Sequence, residues 1–170
     1  MKAIRILSVA LMMLAANGSI QVDAAQTGLE QAFFGRAVGR GRFQSAIIGL
    51  DRRFLVTTSG HQSGDQFVLD QIFRFDDGHM DRRTWRFRKI GPGRYAGTRQ
   101  DVVGEADVRV EPDAIHLSYN IDMKQKSGVT VRLHFEDRIE RGGRGAILNR
   151  AVIYAMGLPV GSVETTLIRQ

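Results

Sequence analysis

The chain has 170 residues, a formal net charge of +6, no cysteine, three prolines and nineteen glycines. That length suits one domain of roughly 100–200 residues, and an apolar share of 43% against 25% charged excludes wholesale disorder. Without cysteine the chain cannot form disulfides, use a thiolate nucleophile or carry a thioether-linked lipid. All its basic residues except Lys2, Lys89, Lys124 and Lys126 are Arg. Such a bias fits anionic partners, which a guanidinium grips bidentately, or a GC-rich coding sequence.

Taken in chain order, Met1–Arg5 is positive at Lys2 and Arg5, and Ile6–Ala16 is apolar apart from Ser8. Small residues around Val22-Asp23-Ala24 follow, which predicts a secretory signal peptide over residues 1–24, cleaved after Ala24. The apolar run is shorter than the roughly 20 residues of a membrane-spanning helix. The expected mature chain, residues 25–170, stays basic. Export to the periplasm turns the reading of that charge away from nucleic acid.

Gly28–Arg36 has helical spacing at Leu29, Ala32, Phe33 and Arg36. Beyond it the period becomes two. Phe67, Leu69, Gln71, Phe73 and Phe75 alternate with more polar neighbours, as do Arg83, Trp85 and Phe87. The same holds for Ile115, Leu117, Tyr119, Ile121 and Met123, and for Val129, Val131, Leu133 and Phe135. Such segments are antiparallel strands with one dry face and one wet. Further strands fit Arg42–Leu50, Phe54–Gln62, Tyr95–Arg99, Glu105–Val110, Ala146–Ala155 and Ser162–Ile168. Asp77-Gly78 marks a hairpin. Gly39-Arg40-Gly41 and Gly142-Gly143-Arg144-Gly145 read as turns, and Pro92, Pro112 and Pro159 each fall at an expected turn.

About ten strands at a spacing of roughly 8–12 residues favour a closed barrel. The fold class is therefore all-β: an antiparallel up-and-down barrel of about eight to ten strands with a short N-terminal helix over one end. Gly41-Arg42-Phe43 then sits where lipocalins place Gly-x-Trp at the start of the first strand.

Several motifs resemble a known family: Phe73-Arg74-Phe75-Asp76-Asp77-Gly78, Arg83-Thr84-Trp85, Tyr95-Ala96-Gly97-Thr98 and Asp101-Val102-Val103-Gly104-Glu105-Ala106. Leu117-Ser118-Tyr119, Asn149-Arg150-Ala151 and Gly157…Val160-Gly161 continue the pattern in order. Together they resemble the bacterial "domain of unknown function 3833" family of secreted proteins and lipoproteins. The resemblance implies a calycin-like barrel in a Gram-negative envelope and no established activity. Many members are lipoproteins; this chain lacks the cysteine which that anchoring requires.

Parity points Arg83 inward with Trp85 and Phe87, Tyr119 inward among aliphatics, Asn149 between Ile147 and Ala151, and Asp137 in register with Phe135. A charge inside an apolar barrel requires a partner. One reading is a carboxylate clamp. Arg83, helped by Tyr95 or Tyr119, takes the head of a fatty acid, while Trp85, Phe73 and Leu117 line the tail. The other is a structural ion pair of Arg83 with Asp101 or Asp137. Asp101 reads as a turn residue or a general base, with Gly104 at a bulge or corner. His61, His79, His116 and His134 lack metal-motif spacing, so no metal or cofactor is expected. There is no G-x-S-x-G motif, and Ser118, Ser127 and Ser162 show no partner arrangement in sequence.

Arg74, Arg82, Arg86 and Arg88 form an outward basic stripe, either facing an anionic membrane surface or solvated beside acids such as Asp70. Three functions fit these features. The first is a barrel binding a fatty acid or lipid, with Arg83, Trp85, Tyr95, Asp101, Tyr119, Asp137 and Asn149 as its site. The second is a lipid-modifying enzyme using Asp101, Tyr119 and Arg83. The third is a structural envelope protein with a filled core.

Overall fold

A computed structural model describes residues 28–47, 49–124 and 128–170. The expected signal segment lies outside the described residues. Helix α1 (Leu29–Phe33) leads into ten strands: β1 (Gly35–Ser45), β2 (Leu50–Ser63), β3 (Gln66–Phe75), β4 (Met80–Gly91), β5 (Arg94–Thr98), β6 (Ala106–Val110), β7 (Ile115–Lys124), β8 (Thr130–Arg141), β9 (Ala146–Ala155) and β10 (Leu158–Arg169). Each strand pairs antiparallel with its neighbour in sequence, and β1 also pairs with β10, so the sheet closes. Closure leaves no open edge to aggregate. The up-and-down barrel expected from alternation is the architecture found.

Four local expectations are corrected. The first strand runs from Gly35 to Ser45 rather than starting at Arg42, and β2 begins at Leu50. Gly39 and Gly41 therefore lie inside β1, not in a turn, and Gly41-Arg42-Phe43 falls in its second half. Both glycines answer to close approach. A Cβ at Gly39 would stand 2.0 Å from the Thr166 carbonyl oxygen, and one at Gly41 2.3 Å from the Phe54 ring. Pro159 lies within β10, beside the register shift between Pro159 and Gly161, where a missing N–H is tolerated. The helix is also shorter than its periodicity suggests, because Gly35 adopts φ +85° and starts the first strand.

The hairpin at Asp77-Gly78 is as read: Gly78 has φ +83°, and Asp77 Oδ1 accepts a hydrogen bond from the His79 amide at 2.9 Å. Inside the barrel, Trp85 stacks on Phe87 at 5.4 Å between centroids, Tyr119 on Phe135 at 5.1 Å, and Trp85 meets Tyr119 edge-on at 5.2 Å. Helix α1 covers one end. Leu29, Ala32 and Phe33 are buried there, and the Tyr95 hydroxyl donates to Glu30 Oε2 at 2.7 Å. Arg169 donates to the Ala32 carbonyl at 2.9 Å and Arg141 to Gln31 Oε1 at 2.7 Å. At the other end, the mouth, Phe73, Phe135 and Val163 are only partly buried.

Candidate functional site

The inward parity of β4, β7, β8 and β9 brings Arg83, Trp85, Tyr119, Asp137 and Asn149 to the wall of one interior cavity of about 110 Å³. Thr58 of β2, Gln71 of β3, Arg99 just after β5 and Thr165 of β10 complete its polar lining; Leu69, Leu117 and Phe135 are among its apolar walls. Two of the expected site residues stand elsewhere. The Tyr95 hydroxyl is committed to Glu30, and burial first, then that carboxylate, holds its pKa well above the ordinary phenol value. Asp101 sits outside the cavity wall and binds Arg99.

The charge pairing differs from the one expected. Arg83 binds neither Asp101 nor Asp137. Its Nε donates to Asp81 Oδ2 at 2.8 Å, two residues back on the same strand, and its guanidinium lies 4.8 Å over the Phe73 ring. The deeply buried cation is Arg99, whose side chain is 3% exposed. Its Nε and Nη2 donate to the two carboxylate oxygens of Asp101, while its plane lies 4.5 Å from the Trp85 centroid and 5.2 Å from that of Tyr119. A guanidinium has five N–H donors, so this pairing leaves others spare on a side chain that lines the cavity.

Opposite stands Asp137, buried between β7 and β9. The Asn149 amide donates to its Oδ1 at 2.8 Å. Asp137 Oδ2, Asn149 Oδ1 and Thr58 Oγ1 are buried and have no hydrogen-bond partner among the described residues. Burial raises the Asp137 carboxyl above the usual carboxylate range, against the opposing influence of Asn149, Tyr119, Arg99 and Arg83. Burial likewise lifts Tyr119, reinforced by the charge of Asp137. The Tyr119 and Thr58 hydroxyls and the Arg99 guanidinium set hydrogen-bond donors beside the unpartnered Asp137 Oδ2 and Asn149 Oδ1. Chemically these donors suit an incoming acceptor such as a carboxylate, and the aromatic walls suit an apolar body attached to it.

The sequence reading missed Arg99, Thr58, Gln71 and Thr165. A signal for Arg99 was present, since it keeps the inward parity of Tyr95 and Gly97 and lies two residues from Asp101. Strands β5 and β6 are only five residues long. Where they fall short, the segment 99–105 spans from β4 to β7: Gln100 donates to the Arg82 carbonyl at 3.0 Å, and the Val103 amide to the Asn120 carbonyl at 2.9 Å. Asp101 is thus neither a cavity base nor an isolated turn residue; it is the outer half of the clamp on Arg99. Gly104, at φ +72°, turns this segment back into β6.

The outward stripe is partly neutralised. Arg88 pairs with Glu105 at 3.3 Å, whereas Arg74, Arg82 and Arg86 have no carboxylate partner among the described residues. Asp70, expected to offset the stripe, accepts instead from the Thr84 hydroxyl at 2.6 Å. No group of three or more metal-ligating side chains occurs among the described residues. His134 does contact Asn120, at 3.1 Å, and Ser118, at 3.5 Å, on the outer face of the barrel.

Solved structures share this architecture. The crystal structure of Rv2717c from M. tuberculosis matches with a TM-score of 0.57 at 19% identity, covering 87% of this chain and 98% of that one. An S-type phycobiliprotein lyase, CPES, from Guillardia theta matches with a TM-score of 0.60 at 8% identity, covering 82% and 89% respectively. At these identities the likeness is one of fold. No curated protein matches the chain. The profile of a family described as "Protein of unknown function (DUF3833)" matches residues 11–169, and with that match, over nearly its whole length, the chain belongs to this family.

Proposed function

We propose that the protein is a periplasmic binding barrel, exported by its N-terminal segment, that holds the polar head of a small amphipathic molecule such as a fatty acid or lipid fragment. One observation carries this reading. Three buried polar atoms, Thr58 Oγ1, Asp137 Oδ2 and Asn149 Oδ1, lack partners and belong to side chains lining the same cavity. Buried polar groups are ordinarily satisfied, so their convergence marks a place for a ligand's hydrogen-bonding group. Arg99 supplies charge, and Trp85, Leu117 and Phe135 the apolar wall. At about 110 Å³ the cavity lies below the roughly 300 Å³ of a drug-sized pocket. It therefore takes the head, with the tail leaving past Phe73, Phe135 and Val163.

The cavity volume also favours a second reading, a structural barrel whose polar heart holds only water, since the space admits several molecules. The enzymatic reading loses its base, because both Asp101 oxygens are bound by Arg99. The use of such a barrel by a lyase in one similar structure supports ligand binding in this scaffold. The unpaired outward arginines Arg74, Arg82 and Arg86 support contact with an anionic envelope surface. Titrating delipidated protein with fatty acids of increasing length decides between binding and a hydrated core. Saturable binding that Asn149→Leu and Thr58→Val weaken at least about tenfold supports the proposal. No uptake of any chain length by folded protein overturns it.

A further inference from the structure

In an up-and-down barrel every second turn lies at the same end, so the two ends can be compared turn by turn. At the mouth, each of the five connections carries or adjoins an exposed apolar side chain: Ile47 between β1 and β2, Met80 at the start of β4, and Val103 between β5 and β6. Met123 and Val129 flank the next connection, and Met156 and Leu158 the last. Met156, 94% exposed, sits at the very tip of its turn with φ +51°. At the helix end, the turn residues 64–65, 92–93, 111–113 and 142–145 bear no large aliphatic or aromatic side chain. The exposed apolar residues near that end, Phe34, Ile90 and Ile168, lie on its flanks.

Cations without a carboxylate partner among the described residues stand at both ends, Arg36, Lys89, Arg141 and Arg144 at the helix end among them; at the mouth they stand beside the apolar tips. Five acids around the mouth are engaged: Asp51 by Arg42, Asp77 by Arg52, Asp81 by Arg83, Asp101 by Arg99 and Asp122 by Arg132. Asp76, beside Arg53 and Arg74, accepts from the Arg53 backbone amide at 3.3 Å. Arg53, Arg74, Arg82 and Lys124, near the mouth on β2, β3, β4 and β7, have no carboxylate partner among the described residues. The result is a ring of isolated apolar tips behind which stand uncompensated cations. A protein interface is built on a contiguous packed centre; separate aliphatic tips beneath a cationic collar match the interface of an anionic bilayer, where apolar groups enter and basic groups meet headgroup phosphates.

We infer that the barrel docks mouth-first on an anionic phospholipid bilayer, with Ile47, Met156 and Leu158 entering the lipid interface and Arg53, Arg74 and Arg82 held over the headgroups. This rests on the proposed contact with an anionic envelope surface and adds its orientation and its anchoring residues. In this pose the partly buried mouth faces the membrane, while Arg86, farther along β4, and helix α1 point away.

The test uses protein purified from the secreted fraction and vesicles of phosphatidylcholine with or without phosphatidylglycerol. Because the chain has no cysteine, Met156→Cys and Asp65→Cys each place one environment-sensitive fluorophore, at the mouth and at the helix end. The expected result is brightening and a blue shift of the label at position 156 alone, only with phosphatidylglycerol, and weakened by salt. The pair Ile47→Asn and Leu158→Asn, and the triple exchange of Arg53, Arg74 and Arg82 to Gln, each weaken binding at least about tenfold. Full binding by the tip variant, with loss on Arg86→Gln, overturns the mouth-first pose and leaves a side-on anionic contact. Brightening at position 65 instead overturns it in favour of the opposite end. Dimerisation that the tip variant abolishes assigns the mouth to a second copy and overturns it as well. No binding of wild-type protein to any vesicle overturns both the pose and the surface contact on which it rests.

Discussion

Asp137 and Arg99 show how a barrel of this kind keeps charge inside. Arg99 is neutralised from the loop side by Asp101 and lies against two aromatic faces, so its guanidinium is both paired and sandwiched. Asp101→Asn leaves that buried cation without its counter-ion and is expected to destabilise the fold by about 3 kcal/mol. Arg99→Met combined with Asp101→Asn should recover much of the loss, and urea melts of the three variants measure the coupling. Asp137 is governed by burial in the opposite sense. Its folded pKa lies above the unfolded value of about 3.9, so its contribution to stability is complete below that value and is lost as pH rises through the folded one. Asp137→Asn, which keeps an acceptor for the Asn149 amide, removes this loss. The melting temperature of the variant should exceed that of wild type above about pH 5, and the two should converge toward pH 3. Parallel profiles would show that the carboxyl is ionised in the folded state.

Among the elements, helix α1 and strands β1, β5 and β6 carry the departures from simple alternation. The helix has only five residues, too few to persist by propensity alone. It is held by Leu29 and Phe33 in the core and by hydrogen bonds from Tyr95, Arg141 and Arg169. Tyr95→Phe should cost about 1–2 kcal/mol and loosen the N-terminal segment to proteolysis while leaving fatty-acid titrations unchanged, since its hydroxyl takes no part in the cavity. Gly39→Ala drives a methyl group into the Thr166 carbonyl and should destabilise by about 3 kcal/mol, read from thermal melts. The short β5 and β6 were legible as strands. That the loop between them would reach across to β7 was not, because Asp101-Val102-Val103-Gly104 carries no period and the segment's hydrogen bonds go to β4 and β7.

For the whole molecule, closure is the decisive event. Strand β10 supplies the partner that both β1 and β9 require, and the paired residues Ala37 and Arg169 stand near opposite ends of the chain. Deleting residues 158–170 should abolish the cooperative transition seen in the near-ultraviolet signal of Trp85, because two open edges and an unroofed interior remain. Retention of that transition would mean the barrel closes without its last strand. The same closure gives the molecule two unlike ends, one sealed by α1 and one ringed by apolar tips, with the polar cavity between them.

What the sequence determined by itself was local: where strands run, which side chains face in, and where chain direction reverses at Asp77-Gly78. Period-two alternation follows from backbone geometry and is written residue by residue, so parity alone places Arg83, Trp85, Tyr119, Asp137 and Asn149 on the inner wall. The tertiary structure decided which of these groups meet. Glu30 binds Tyr95 across 65 positions and Asn149 binds Asp137 across twelve. Arg83 turns to Asp81 instead of either expected acid, and Arg99 becomes the buried cation. Asn149 reaches Asp137 through the stagger of β9 on β8, and Glu30 reaches Tyr95 because the helix folds over the barrel end. Which of the available acids Arg83 and Arg99 each take depends on which of them the closed barrel sets within reach.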